Sequence, residues 1–330
     1  MTDSASPQSE IEKSLAKTLA GIEIPPRPAV LDKVMAEMQS HDPDFRRLAN
    51  LIVADVGLAA GLIKTANAPA FGYRSKATTV RDALTMLGLI NVLRTLAGLS
   101  LRTVLPESPA MKGFWETSSG TAFICGWLTR ELGIRDGIRS EDAYTYALFH
   151  DCGIPVLLHS LPGYEETYTS SRESDRSYAE IEIERHELSH AQVGSVMAES
   201  WFLPEIHVQA ILHHHAVSIF PPNMPGLAAG TRRLIALGQL AEKLHADLTG
   251  GADHGWNLTG ADRLEVLGIG EDQLDGLHAG ASNILDSGWA GPVLIWRVRV
   301  ILARGPTDPR RRRGQSQPLP SPPPPRPRRA

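Results

Sequence analysis

Cysteine is nearly missing from this 330-residue chain: only Cys125 and Cys152 occur, 27 positions apart and in no CxxC pair. That excludes a disulfide framework and a cysteine-type zinc site, and it fits a reducing cytosol. Long apolar runs are missing too. The most apolar late segment, 290–303, is short and broken by Arg297 and Arg299, so no membrane span is expected. The first residues, MTDSASPQSEIEK, are polar and acidic with no apolar stretch, which predicts no secretory signal and a cytoplasmic location. No segment alternates apolar and polar residues convincingly over strand length. Neither a P-loop, a GxGxxG turn nor a GxSxG elbow occurs, so nothing supports a nucleotide cofactor or a serine hydrolase.

Positive charge is scarce except at one end. Residues 304–330 hold eight arginines, one aspartate and nine prolines, including the run Pro322 to Pro325. The overall balance of −4 therefore divides into +7 on this tail and −11 on residues 1–303. An acidic body argues against general nucleic-acid binding. The tail cannot build a core and is expected to be disordered or polyproline II, a solvated extension without the interleaved aromatics of a nucleic-acid arm.

What is present is helical periodicity. A hydrophobic content of 42% with 21% charged residues is ordinary for a globular protein. After Pro25-Pro26-Arg27-Pro28, Ala29 to Met38 places Val30, Leu31, Val34 and Met38 on one face. A second helix starts near Asp42-Pro43 with Phe45, Leu48, Leu51 and Ile52 inward, and Asp55 caps a third over Val56 to Ala66. Thr79-Val80-Arg81-Asp82 spells a capping box for Val80 to Leu87, and the pattern resumes after Gly88. Later helices are expected over Phe114 to Leu132, Asp142 to His150, Tyr178 to Trp201, Pro204 to His214 and Thr231 to Thr249. One or two more fall between Leu264 and Asp286, while the polar stretch Glu165 to Arg176 reads as a loop. Trp115, Trp127, Trp201 and Phe202 sit at apolar positions expected in the core.

Several ordered segments carry a resemblance. IPPRPAVLDKV, DPDFRRLANLIVADVGLAAGLIKTANAPAFG and TTVRDALTMLGLINVLRTLA occur in the first half. FWETSSGTAF, ALFHDCGIPVLL and HELSHAQVGSVMAESWFLPEIHVQAILHHH follow in the second. Together they resemble the HDOD domain, a relative of the HD phosphohydrolases used in bacterial signalling, over roughly residues 20–285. The resemblance implies an all-α fold, an N-terminal helical bundle followed by an HD-like helical domain. The expected division is a flexible segment 1–19, a bundle 20–105, an HD-like part 106–286 and an extension 287–330.

By the same resemblance, His150 and Asp151 match the eponymous pair, His190 the next histidine, and His214-His215 a later double histidine. Thr117 stands where related proteins carry a histidine, Gln239 where an acidic ligand closes the set, and Ala216 where glutamate is common; Glu242 lies one turn beyond Gln239. Hydrolysis at a metal pair needs several charged ligands to lower the pKa of water and neutralise phosphate. Two neutral replacements undercut that chemistry, so no catalytic residues are assigned. His150, Asp151, His190 and His214 remain as a residual site, since three imidazoles and a carboxylate suffice for one divalent ion. The competing reading makes His150 a helix cap, gives Asp151 backbone N–H partners, and puts His190 and His213 to His215 in a hydrogen-bonded core network.

Two motifs compete with this reading. His186-Glu187-Leu188-Ser189-His190 spells HExxH with helical i, i+4 spacing, and Glu199 or Glu205 offers a third zinc ligand. One short match in a histidine-rich chain is weak, no strand is expected to line a protease cleft, and the signature is read as incidental. Val80 to Leu101 has the outline of a helix-turn-helix, but LINVLRTLAGLSL carries a single arginine and reads as a core pair. The expected function is therefore a non-catalytic regulatory protein of bacterial signal transduction, binding a signalling protein or a small ligand. It needs no cofactor beyond that residual ion, no nucleic acid and no membrane, and leaves room for a homo-oligomer. The alternative is a metal-dependent HD-type phosphohydrolase acting on a nucleotide or cyclic dinucleotide.

Overall fold

The computed structural model describes residues 19, 21–105, 109–134, 137–172, 174, 176–216, 227–251 and 256–286. The N-terminal segment, the Pro106 boundary and the Arg/Pro tail lie outside them. Among the described residues the fold is all-α, with no strand.

Five helices come first: α1 (Ala29–Met38), α2 (Phe45–Val53), α3 (Val56–Ala66), α4 (Val80–Leu87) and α5 (Leu89–Val104). Short polar side chains start three of them by satisfying the otherwise orphaned N–H groups of the first turn. Asp44 accepts from Arg46 N, Asp55 from Gly57 N and Leu58 N, and Thr79 with Asp82 closes the expected capping box. The second start is Asp44 rather than Asp42, and Phe45, expected inward, is 38% exposed while Leu48 and Ile52 are buried. At Gly88 (φ 74) the chain turns by 117° between α4 and α5. Helix α5 is buried at nearly every position from Asn91 to Leu101, so it is core and offers no base-reading face.

Then follow α6 (Pro109–Glu131), α7 (Ser140–Phe149), α8 (Gly153–Ser160), α9 (Tyr164–Arg172), α10 (Tyr178–His186), α11 (His190–Ser200), α12 (Glu205–His213), α13 (Ala229–Thr249), α14 (Trp256–Leu267) and α15 (Leu274–Asp286). Helix α6 runs along α7, α13 and α15. The segment expected to be a loop is α9. Its polar composition hides a buried stripe of Tyr164, Thr167, Tyr168 and Ser171, spaced for one helix face, with Ser171 Oγ donating back to Thr167 O at 2.7 Å. The single helix expected over Tyr178 to Trp201 is two, because Glu187 takes a left-handed φ of 61° and Ser189 with Gln192 forms a capping box that starts α11. Trp115, Trp127 and Trp201 are in the core as expected; Phe202 is not. It is 38% exposed, with φ 64°, and the Arg27 guanidinium stacks 3.7 Å from its ring centroid.

A buried polar hub joins the first five helices to the rest. The Arg94 guanidinium of α5 donates to Asp142 of α7 and to Asn91 Oδ1 (3.0 Å), while His207 Nε2 of α12 donates to Asp142 O (3.0 Å). Helices α7 and α12 thus both begin at the hub. Both end at His150-Asp151 and His214-His215.

Candidate metal centre

Four elements bring the cluster together. The end of α7 supplies His150 and Asp151, the start of α11 supplies His190, the end of α12 supplies His214 and His215, and α13 supplies Glu242. The close approach of α8 to α11 depends on Gly153. A Cβ there would sit 2.0 Å from His190 O and 2.8 Å from Gly194 N. The glycine after the His-Asp-Cys run therefore lets His190 stand beside Asp151.

Three rings have one nitrogen committed outward. His150 Nδ1 donates to Ala147 O at 2.7 Å, His214 Nδ1 to Ile211 O at 2.7 Å, and His190 Nδ1 to Glu182 Oε2 at 2.6 Å. Their Nε2 atoms then face inward. His190 Nε2 and His214 Nε2 lie 3.3 and 3.2 Å from Asp151 Oδ1, and His150 Nε2 lies 3.3 Å from Asp151 Oδ2. His190 Nε2 is also 3.3 Å from His214 Nε2 and 3.0 Å from His215 Nε2. Imidazole nitrogens this close repel unless a cation, a proton or a metal ion, sits between them. Outward Nδ1–H bonds to carbonyl or carboxylate are how proteins fix histidines for metal ligation.

The ligand atoms fall into two sets sharing Asp151. One is Asp151, His190, His214 and His215; the other is His150, Asp151 and Glu242, and within each set all ligand atoms lie within 4.8 Å of one another. The structure thus gathers Asp151, His190 and His214 as the sequence pattern predicts, and adds His215. His150 stands on the other side of Asp151, its Nε2 2.9 Å from Glu242 Oε1. Thr117 is exposed at the wall of the adjoining cleft. Gln239 is tied elsewhere, donating to His214 O at 2.6 Å and accepting from Arg263 Nε at 2.5 Å.

The competing network reading was right about His150, whose Nδ1 does cap the α7 end. It misplaced Asp151, whose carboxylate faces the three rings. His186 is not near the cluster: its Nε2 meets Thr167 Oγ1 at 2.8 Å. The break at Glu187 separates it from His190, so HExxH is not on one helix and the protease reading falls. Glu182, missed in the sequence, is the carboxylate that serves His190; with α10 and α11 read as one helix, nothing pointed it there.

Electrostatics follow from the crowding. Burial works against charge on His150 and His190, but Asp151 and Glu242 hold the first well above the ordinary histidine range, and Glu182 and Asp151 raise the second to about 10. Against its burial, Asp151 is held well below the usual carboxylate range by His150, His190 and His214. His215 is pushed well down by burial and by the neighbouring His214 and His190. A cleft of about 130 Å³ opens beside the cluster, with His150, Asp151, Tyr178, Glu242, Lys243 and Trp256 among its walls.

An all-helical fold with His-Asp at a helix end and three further histidines converging on the aspartate defines an HD-like domain. The particular family is also clear: residues 24–217 match the HDOD domain, and the chain belongs to that family. A Geobacter sulfurreducens HDOD domain protein of unknown function superposes with a TM-score of 0.56 at 19% identity, covering 83% of this chain and 99% of that one. A Shewanella amazonensis SB2B protein whose name proposes a phosphohydrolase gives 0.59 at 20% identity, over 82% and 94% of the two chains. A Marinobacter aquaeolei VT8 protein whose name proposes signal transduction gives 0.57 at 21%, over 83% and 64%. At these identities the likeness is one of fold. An uncharacterised Treponema pallidum (strain Nichols) protein is 25% identical over 219 residues, 62% of this chain and 41% of that protein. Among the described residues no single helix is long and apolar enough to cross a membrane.

Proposed function

We propose that this chain is a regulatory HDOD module that binds one divalent metal ion through Asp151, His190, His214 and His215 and acts by binding rather than turnover. The observation that carries the ion is the set of four ligand atoms within 4.8 Å of one another, with two of the three rings locked from behind by Nδ1–H bonds. Three nitrogens and one carboxylate oxygen suit a zinc-class ion better than magnesium or calcium, which prefer oxygen. Family membership, together with a signal-transduction name on one fold neighbour, supports the regulatory role.

The neighbouring half-site weighs against turnover. Thr117 offers no imidazole, and both ends of the Gln239 amide are already bonded. One observation favours a second reading: Glu242, 2.9 Å from His150 Nε2, builds with Asp151 a smaller second set. If that set holds a second ion, the protein is a phosphohydrolase of nucleotides or cyclic dinucleotides, because two metals clamp the attacking and leaving oxygens. Metal analysis of the purified chain, followed by a phosphodiester hydrolysis assay with added manganese, separates the two. One bound ion without hydrolysis is the expected result. Two ions with turnover abolished by Asp151→Ala overturn it.

A further inference from the structure

Resting on the one-ion reading above, we infer that Glu182 is a positioning residue for that ion, supplying through His190 the second negative charge that the buried site needs. Three neutral imidazoles and Asp151 leave a divalent ion with one positive charge uncompensated. Burial makes that expensive, because an unbalanced charge away from water forfeits its solvation. Glu182 is fully buried, on α10 and outside both ligand sets.

Its hydrogen bonds point to that task. Glu182 Oε2 accepts from His190 Nδ1 at 2.6 Å and from His190 N at 3.0 Å, fixing both the ring and the helix start that carries it. The other oxygen accepts from the Tyr164 hydroxyl, which lies 2.9 Å from that of Tyr178. The Tyr178 ring in turn lies against His190, with centroids 4.9 Å apart. No arginine or lysine is seen to pair with Glu182 among its described contacts; each of them is His190 or a tyrosine. A buried carboxylate bonded to the far ring nitrogen of a histidine, as Glu182 is to His190 Nδ1 among the described residues, is the arrangement that raises imidazole basicity toward a metal.

The test uses the full chain, stripped of metal and titrated with Co²⁺ while the visible absorption of the bound ion is followed, then competed with Zn²⁺. Glu182→Gln keeps an acceptor for Nδ1–H but removes the charge. It is expected to weaken Co²⁺ roughly 10–100-fold and to alter its absorption. Tyr164→Phe, which removes a hydrogen bond and leaves the charge, is expected to weaken binding less. Parent-like affinity and absorption in Glu182→Gln overturn the inference and leave the metal site standing. A parent chain that takes up no Co²⁺ overturns both. If Glu182→Gln fails to fold, Tyr164→Phe decides: a weaker, spectrally altered site supports the inference, and an unchanged one refutes it.

Discussion

Replacing Gly153 by alanine adds a single methyl group at the tightest helix contact of the site. That carbon would lie 2.0 Å from His190 O, where real Cβ atoms essentially never come within 3.0 Å, and the obstructing atoms are backbone. No side chain can swing away, so α8 and α11 must separate by about 1 Å or the α11 start must unwind. Overpacking of this kind costs on the order of 1–3 kcal/mol or more, against which alanine's better helix propensity returns at most about 1 kcal/mol. A net loss of roughly 2 kcal/mol is expected, lowering the unfolding midpoint by about 4–8 °C for a domain of this size. Gly113, in α6, has nothing within 4 Å of its virtual Cβ and is the matched control. Its alanine variant should gain up to about 1 kcal/mol. Urea and thermal unfolding of both variants, metal-free, read the difference. If Gly153→Ala is as stable as Gly113→Ala, the helices are not held in the contact described, and the placing of His190 beside Asp151 by that glycine is refuted.

Removing the cation of the hub, Arg94→Met, leaves the Asp142 carboxylate buried with only Arg139 beside it, its backbone N donating at 2.9 Å and its Nε 3.7 Å away. A destabilisation of about 3 kcal/mol is expected in chemical denaturation, and one below about 1 kcal/mol would show that the hub is not a buried ion pair. His207 titrates in the opposite sense from His150 and His190: burial, then Arg94, lowers it to about 4. Its Nε2 donates to Asp142 O, and no partner for its buried Nδ1 occurs among the described residues, so the folded state resists the second proton. The unfolded chain takes that proton near pH 6.5, so the penalty is absent above it and grows as pH falls toward 4, reaching roughly 3 kcal/mol. Stability against pH should therefore fall less steeply over that window in His207→Gln than in the parent, and parallel curves would refute the assignment.

Much of the fold was legible because local rules and global packing agree. Asp55 before an apolar helix and the Thr79–Asp82 box are complete signals within four residues, and they mark helix starts the structure keeps. Helix α9 was hidden because its buried stripe is made of tyrosine and hydroxyl side chains rather than aliphatics, which hydropathy reads as loop. The split at Glu187–Ser189 was readable in principle from Ser189 and Gln192, but a run of helix formers on both sides masked it. Within the site, the ligand residues were visible as a pattern, and their grouping was not. That His215 joins Asp151 while His150 turns to Glu242 depends on how three helix ends meet the middle of α13, which no spacing along the chain encodes.

The two helices that leave the Arg94 hub and end in ligands make a pair of parallel struts. At one end a guanidinium and a shared carbonyl hold them together permanently. At the other, Asp151, His214 and His215 bring their tips together, and a cation bound there would set the distance between them. An ion there would act as a second rivet, bracing the two struts at both ends. Strain applied to the first five helices would then reach the cleft as a change in tip separation.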